Sequence, residues 1–181
     1  MIGISGDMKN FIFIIGMAFF SMSNTVQSSS VIRGEFEATG PMWPHWIRLS
    51  GPVVSNVDGE KNKTEITGGY NLGSWFVFNS SDQLFPDFSP FKVDGLIYIV
   101  RTGKDIVLKG AGTIVDEDND EIFMIIRRND GTSEKGGAGI VVLTGGTGKY
   151  VGIKGKCPYD LKFPQPGYGD LFFRCRWVKK S

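Results

Sequence analysis

The stretch Cys157-Pro-Tyr-Asp-Leu-Lys-Phe-Pro-Gln-Pro-Gly-Tyr-Gly-Asp-Leu-Phe-Phe-Arg-Cys175 doubles back on itself. A mirror at Pro166 sets Cys157 against Cys175, Tyr159 against Phe173 and Leu161 against Leu171. All six residues are odd-numbered, so they share one face of a strand pair, because strand side chains alternate with period two. Lys154, Lys156, Asp160, Lys162, Asp170, Arg174 and Arg176 fall on the other face. Pro164-Gln165-Pro166-Gly167 supplies the turn chemistry between the two runs. The pattern predicts a β-hairpin, its register and a disulfide between the only two cysteines of the chain. Directly opposed strand residues have Cβ atoms about 4.5–5.5 Å apart, close enough to bridge. A structural disulfide belongs to an oxidising compartment.

The other end of the chain agrees. Phe11–Met22 (FIFIIGMAFFSM) is an uncharged apolar run, preceded by Lys9 and followed by small polar residues from Ser21 to Ser30. Twelve residues fall short of the roughly 20 that a membrane-crossing helix needs. They have the proportions of the apolar region of a secretory signal peptide. We expect residues 1–28 to be that peptide, cleaved after Ser28, with Met8 as a candidate initiator and residues 29–181 as one domain. About 150 residues can bury a core of their own. The formal net charge of +1 and the lack of a Lys/Arg cluster exclude the field of a nucleic-acid binder. No second apolar run follows, so the expected product is exported, periplasmic or extracellular, with no integral membrane segment after cleavage.

Between the ends the composition is β-like: 25 glycines, 13% aromatic residues, and short Val/Ile/Phe/Thr runs broken by Gly, Asn, Asp and Pro. We read strands at Val31–Ala38, Ile47–Val54, Thr64–Leu72, Trp75–Asn79, Gly95–Arg101, Asp105–Val115, Glu121–Asn129, Gly139–Thr144, Tyr150–Phe163 and Gly169–Val178. No stretch after the apolar run keeps a helical period over three turns. The acidic run Asp116–Asp120, Asn129-Asp130-Gly131 and Gly145-Gly146-Thr147-Gly148 are turns. Regularly spaced antiparallel strands make a sandwich or a barrel. Glycines within or beside strands at 95, 110, 112, 137, 139, 152 and 155 suit sharply bent barrel strands and favour the barrel.

Two of these segments carry a family likeness. Thr113–Phe123, with its alternating aspartates, followed by Gly137–Gly155, with its Gly-Gly-Thr-Gly turn before Tyr150, resembles the allene oxide cyclase-like barrel superfamily. Plant dirigent proteins share a similar turn, and exported bacterial proteins of the superfamily are the nearest in pattern. The resemblance spans about residues 95–163. It implies an all-β, single antiparallel eight-stranded closed barrel whose lumen can hold an apolar small molecule. No catalytic residue of the plant enzymes can be carried onto this sequence.

The residues that could bear chemistry each have a plainer reading. Asp116, Asp118 and Asp120 alternate as in calcium loops, but Glu121 and Arg127 stand where an EF-hand needs glycine and a bidentate glutamate. A solvated hairpin tip is the expectation, and no metal site is called. Gly-Lys at 148–149 is followed by Tyr150 rather than Ser or Thr, which rules out a phosphate loop. Glu35 and Glu37 flank Phe36 and fit an outer strand face. His45 is the only histidine and sits between Trp43 and Trp46. These three, with Phe85, Phe88 and Phe91 of the 79–91 loop, are the candidate ligand-binding residues at a barrel mouth, or else they plug its end. Three functions remain: a protein that binds a small apolar or amphipathic molecule; a cofactor-free isomerase or cyclase; and a structural or oligomeric module with a filled barrel. No cofactor is called, assembly into an oligomer is left open, and the filling of the lumen discriminates among the three.

Overall fold

The computed structural model describes residues 30–48, 53–57, 60–80, 83–102, 105–128 and 136–180. The expected signal segment and the Asn129-Asp130-Gly131 turn lie outside them. The described residues form β1 (Val31–Arg48), β2 (Val53–Val57), β3 (Glu60–Phe78), β4 (Pro90–Thr102), β5 (Asp105–Val115), β6 (Glu121–Arg128), β7 (Gly136–Gly146), β8 (Ile153–Gln165) and β9 (Tyr168–Lys180), with one 3-10 turn at Gly148–Tyr150. Each strand pairs antiparallel with the next from β3 to β9, and β1 bonds to both β9 and β3. Eight strands therefore close into a barrel. β2 lies outside the ring and pairs only with the first residues of β3, Val53 opposite Thr64. No helix of the described residues is long and apolar enough to cross a membrane.

The hairpin of β8 and β9 closes one side of the ring. Lys156 pairs with Arg176, Tyr159 with Phe173 and Leu161 with Leu171. Cys157 and Cys175 are joined in a disulfide and wholly buried, so the odd-numbered face is the lumen. The turn itself is tighter than the four residues expected. Gln165 pairs with Tyr168, and the ladder slips between Lys162 and Gln165. Pro166 and Gly167 alone make the corner, with Gly167 at φ +76°. Proline followed by a left-handed glycine is what a type II turn requires.

Two expected breaks are not breaks. Pro41–Trp46 continues β1, and Thr64–Leu72 runs through Gly73 and Ser74 into Trp75–Phe78 as the single strand β3. Pro44 is tolerated because β1 has left β9 by then: their pairing ends at Met42 opposite Gly169. A proline missing its N–H is confined to such one-sided positions. Gly69 is needed because β1 passes close by, and a Cβ there would lie 2.6 Å from the His45 carbonyl oxygen. Tyr150 belongs to the 3-10 turn, so β8 starts at Ile153.

Alternation sorts each strand into lumen and solvent. Phe36, Ala38 and Met42 of β1, Trp75 and Val77 of β3, Phe91, Val93 and Ile97 of β4, and Ile122, Met124 and Ile126 of β6 all point inward and are buried. Glu35 and Glu37 point outward. Arg176 Nε lies 3.0 Å from Glu35, and Arg174 Nε donates to Glu37 at 2.6 Å. Hydrogen bonds from Asn79 and Arg174 hold the Glu37 carboxyl below its ordinary pKa.

Candidate functional site: one sealed end, one open mouth

The end of the barrel that holds the start of β1 and the end of β9 is sealed. The loop between β3 and β4 covers it and, of the two readings open for its aromatic residues, places Phe85 as a plug inside the ring. The Phe85 ring stacks on Phe36 at 4.2 Å between centroids and meets Tyr150 at 5.5 Å, Trp177 at 5.6 Å and Phe91 at 6.0 Å. Just below, Trp75 meets Phe173 edge-on at 4.7 Å. The space left among Phe36, Trp75, Phe85 and Phe173 is about 10 Å³. That barely admits one water, and its walls are apolar, so this half of the lumen is filled.

The two turns that carried the family likeness lock together over the same end. Asp116 Oδ1 accepts from the backbone N–H of Asp118 and of Asp120, both at 2.9 Å. The Lys149 ammonium lies 2.7 Å from Asp116 and 2.7 Å from Asp118, and the Lys149 N–H donates to Asp120. Thr147 and Glu121 exchange two bonds, one from each backbone N–H. The expected solvated tip is thus corrected in part. Asp118 is exposed, but the Asp116 side chain keeps only 6% of its surface. Burial raises the Asp116 pKa, yet bonds from Lys149, the Asp120 backbone and Tyr150 outweigh it and hold the carboxyl below its ordinary value. The Tyr150 hydroxyl is pushed well up, first by burial and then by its bond to Asp116. Among the described residues no group of His, Cys, Asp or Glu could hold a metal ion.

The opposite end is open. A cavity of about 500 Å³ is lined by Trp46 of β1, Ile99 and Arg101 of β4, Ile106 of β5, Phe163 of β8 and the Pro164–Gly167 turn. Each strand residue here has the inward parity of its strand, so the cavity is the barrel's own mouth. Its volume is that of a small-molecule site. Below it lies a polar layer. Pro44, which also lines the mouth, pairs with Asn71, and Ile99 pairs with Leu108, which pairs with Arg128. Asn71 is 1% exposed and Arg128 2%. Arg128 Nε donates to the Tyr159 hydroxyl at 3.3 Å, and its guanidinium carbon stands 5.4 Å from that ring's centroid. Arg128 Nη2 and Asn71 Oδ1 find no hydrogen-bond partner among the described residues.

The six candidates from the sequence do not share a cavity. Trp46 lines the mouth. Trp43 and His45 alternate with it and face outward, with Trp43 edge-on to Tyr168 at 6.4 Å. Phe85 and Phe91 are buried at the sealed end, and Phe88 stands 82% exposed with a left-handed φ of 67°. Larger concavities of about 1080, 830 and 710 Å³ are grooves on the outer wall. In the first, over β7, β8, β9 and β1, Arg174 and Arg176 are already paired with Glu37 and Glu35.

No family model matches this sequence, and no curated protein does. Among solved structures it is similar to two pterocarpan synthase dirigent proteins. The first, GePTS1, is 13% identical with a TM-score of 0.47, over 91% of this chain and 99% of that one. The second, PsPTS1, is 14% identical with a TM-score of 0.46, over 83% and 96%. The closed barrel described above rests on its own strand register.

Proposed function

We propose that the protein is exported and binds a small amphipathic molecule in the open mouth of the barrel. The observation that carries this reading is the asymmetry of the lumen. One end is filled by Phe85 and its neighbours, while the other keeps about 500 Å³ walled by Trp46, Ile99, Ile106 and Phe163. A barrel serving only as a structural module has no use for that difference. The polar groups of the floor, a guanidinium, a phenol and an amide, can hydrogen-bond a ligand's polar head, which supports binding. The buried disulfide supports export, since such bonds persist outside the reducing cytosol.

Naphthalene-2-carboxamide, planar and neutral, tests the mouth directly. At about 0.5 kcal/mol for each of its roughly 13 non-hydrogen atoms, its dissociation constant should fall in the tens of micromolar. Tryptophan fluorescence or calorimetry reads it, and Trp46→Ala should weaken it about tenfold. Failure of the wild type to bind, or equal binding by the variant, refutes the mouth as the site. Native mass spectrometry of the exported protein would supply the natural ligand's mass.

A further inference from the structure

We infer that the ligand of the mouth is an anion, an amphipathic molecule whose oxyanion, most simply a carboxylate, reaches down to Arg128. The inference rests on the mouth being a small-molecule site and adds the charge of what enters it. A guanidinium has five N–H donors and stays charged at any physiological pH. Burying such a charge is costly unless an opposite charge and hydrogen bonds meet it. Arg128 is only 2% exposed, yet among the described residues it forms no ion pair. Its protein contacts are a 3.3 Å bond from Nε to the Tyr159 hydroxyl and the face of that ring. Neither contact engages Nη2, which finds no partner among the described residues. A guanidinium N–H left over in this way matches a carboxylate oxygen.

Position supports the same conclusion. Arg128 sits beside Leu108 in the register row that runs on to Ile99, and Ile99 lines the mouth. A ligand whose apolar body rests against Trp46 and Phe163 would point its polar head at this layer. Arg101, on the rim, faces solvent and supplies attraction without burial. A rim charge is screened by salt, and a buried one much less so.

The test compares naphthalene-2-carboxylate with naphthalene-2-carboxamide, two ligands of nearly one shape, against the wild type, Arg128→Met, Tyr159→Phe and Arg101→Gln. The wild type should prefer the carboxylate at least tenfold, in 0.5 M salt as well as in dilute buffer. Arg128→Met should reduce the preference to within about twofold. Without ligand, that variant should melt no lower than the wild type, because it removes an uncompensated buried charge. Tyr159→Phe, which deletes only the hydroxyl that orients Nε, should cut the preference severalfold. Arg101→Gln should preserve the preference in high salt. Equal affinities in the wild type would overturn the anion while leaving the mouth intact as a site. Binding of neither ligand would remove the mouth and the anion together. A preference abolished by Arg101→Gln and kept by Arg128→Met would place the anion on the rim and refute the inference. An Arg128→Met variant that unfolds would do so too, by making the guanidinium structural.

Discussion

At the sealed end, inward-pointing Phe36, Trp75 and Trp177 converge on a loop that supplies its own Phe85. At the mouth, the same alternation delivers Trp46, Ile99, Ile106 and Phe163, and no side chain of the described residues fills the space between them. The strands are alike at both ends. The difference lies in what crosses the ring: a plug of stacked aromatic rings on one side, and on the other a layer where a guanidinium and an amide stop the apolar core. On the proposed reading, the filled half supports the fold and the open half takes the ligand.

Substitutions should register that division. Phe85→Ala should have the largest effect, costing about 3–5 kcal/mol in urea unfolding, because it empties a packed site with little means of collapse. It should also create a second, apolar binding site at the sealed end. Unchanged stability would mean that the plug is ornamental and that the two ends are equivalent. Replacing both Cys157 and Cys175 by serine should cost roughly 3 kcal/mol, mainly by freeing the unfolded chain. Reductant should then affect the wild type and leave the variant unmoved. Asp116→Asn should cost about 2 kcal/mol at neutral pH, since the carboxylate holds two backbone N–H groups and an ammonium. The folded carboxyl titrates below the ordinary 3.8, so its contribution is present above that value and is lost as the pH falls through the folded pKa. The gap between wild type and variant should close in strong acid, and a gap that persisted there would mean that the lock is not ionic. Trp46→Ala, at the mouth, should shift stability by only about 1 kcal/mol or less while abolishing most of the binding. A large destabilisation would show that the mouth is part of the core after all.

Much of this architecture is legible before any coordinates. The opposed cysteines fix the β8–β9 register, and the apolar character of the 79–91 loop shows that it covers a barrel end without deciding between plug and mouth. The long strands β1 and β3 are harder to see. Pro41, Pro44 and the Gly73-Ser74 pair look like punctuation until the one-sided pairing beyond Met42 and the unbroken ladder of β3 on β4 are known. The mouth is visible only through Trp46. Arg128 escapes altogether for a specific reason. β6 reads Glu-Ile-Phe-Met-Ile-Ile-Arg-Arg, apolar on both faces and ending in two arginines, so period two gives no parity and either arginine could have been the exposed one. Only the three-dimensional ring shows that Arg127 faces out and Arg128 in. Asn71 and Tyr159 face inward by the parity of their strands, but nothing in the sequence joins them to each other or to Arg128.

The ring is shut by its first strand. β1 needs β9 for one flank and β3 for the other, so Tyr168–Lys180 must be available before Val31–Arg48 can find its place. A chain delivered amino end first therefore cannot finish folding while it is still being made, and contacts of such long sequence separation form slowly. Once the last residues arrive, the seam vanishes, leaving no bare edge in the ring on which a neighbouring chain could nucleate aggregation.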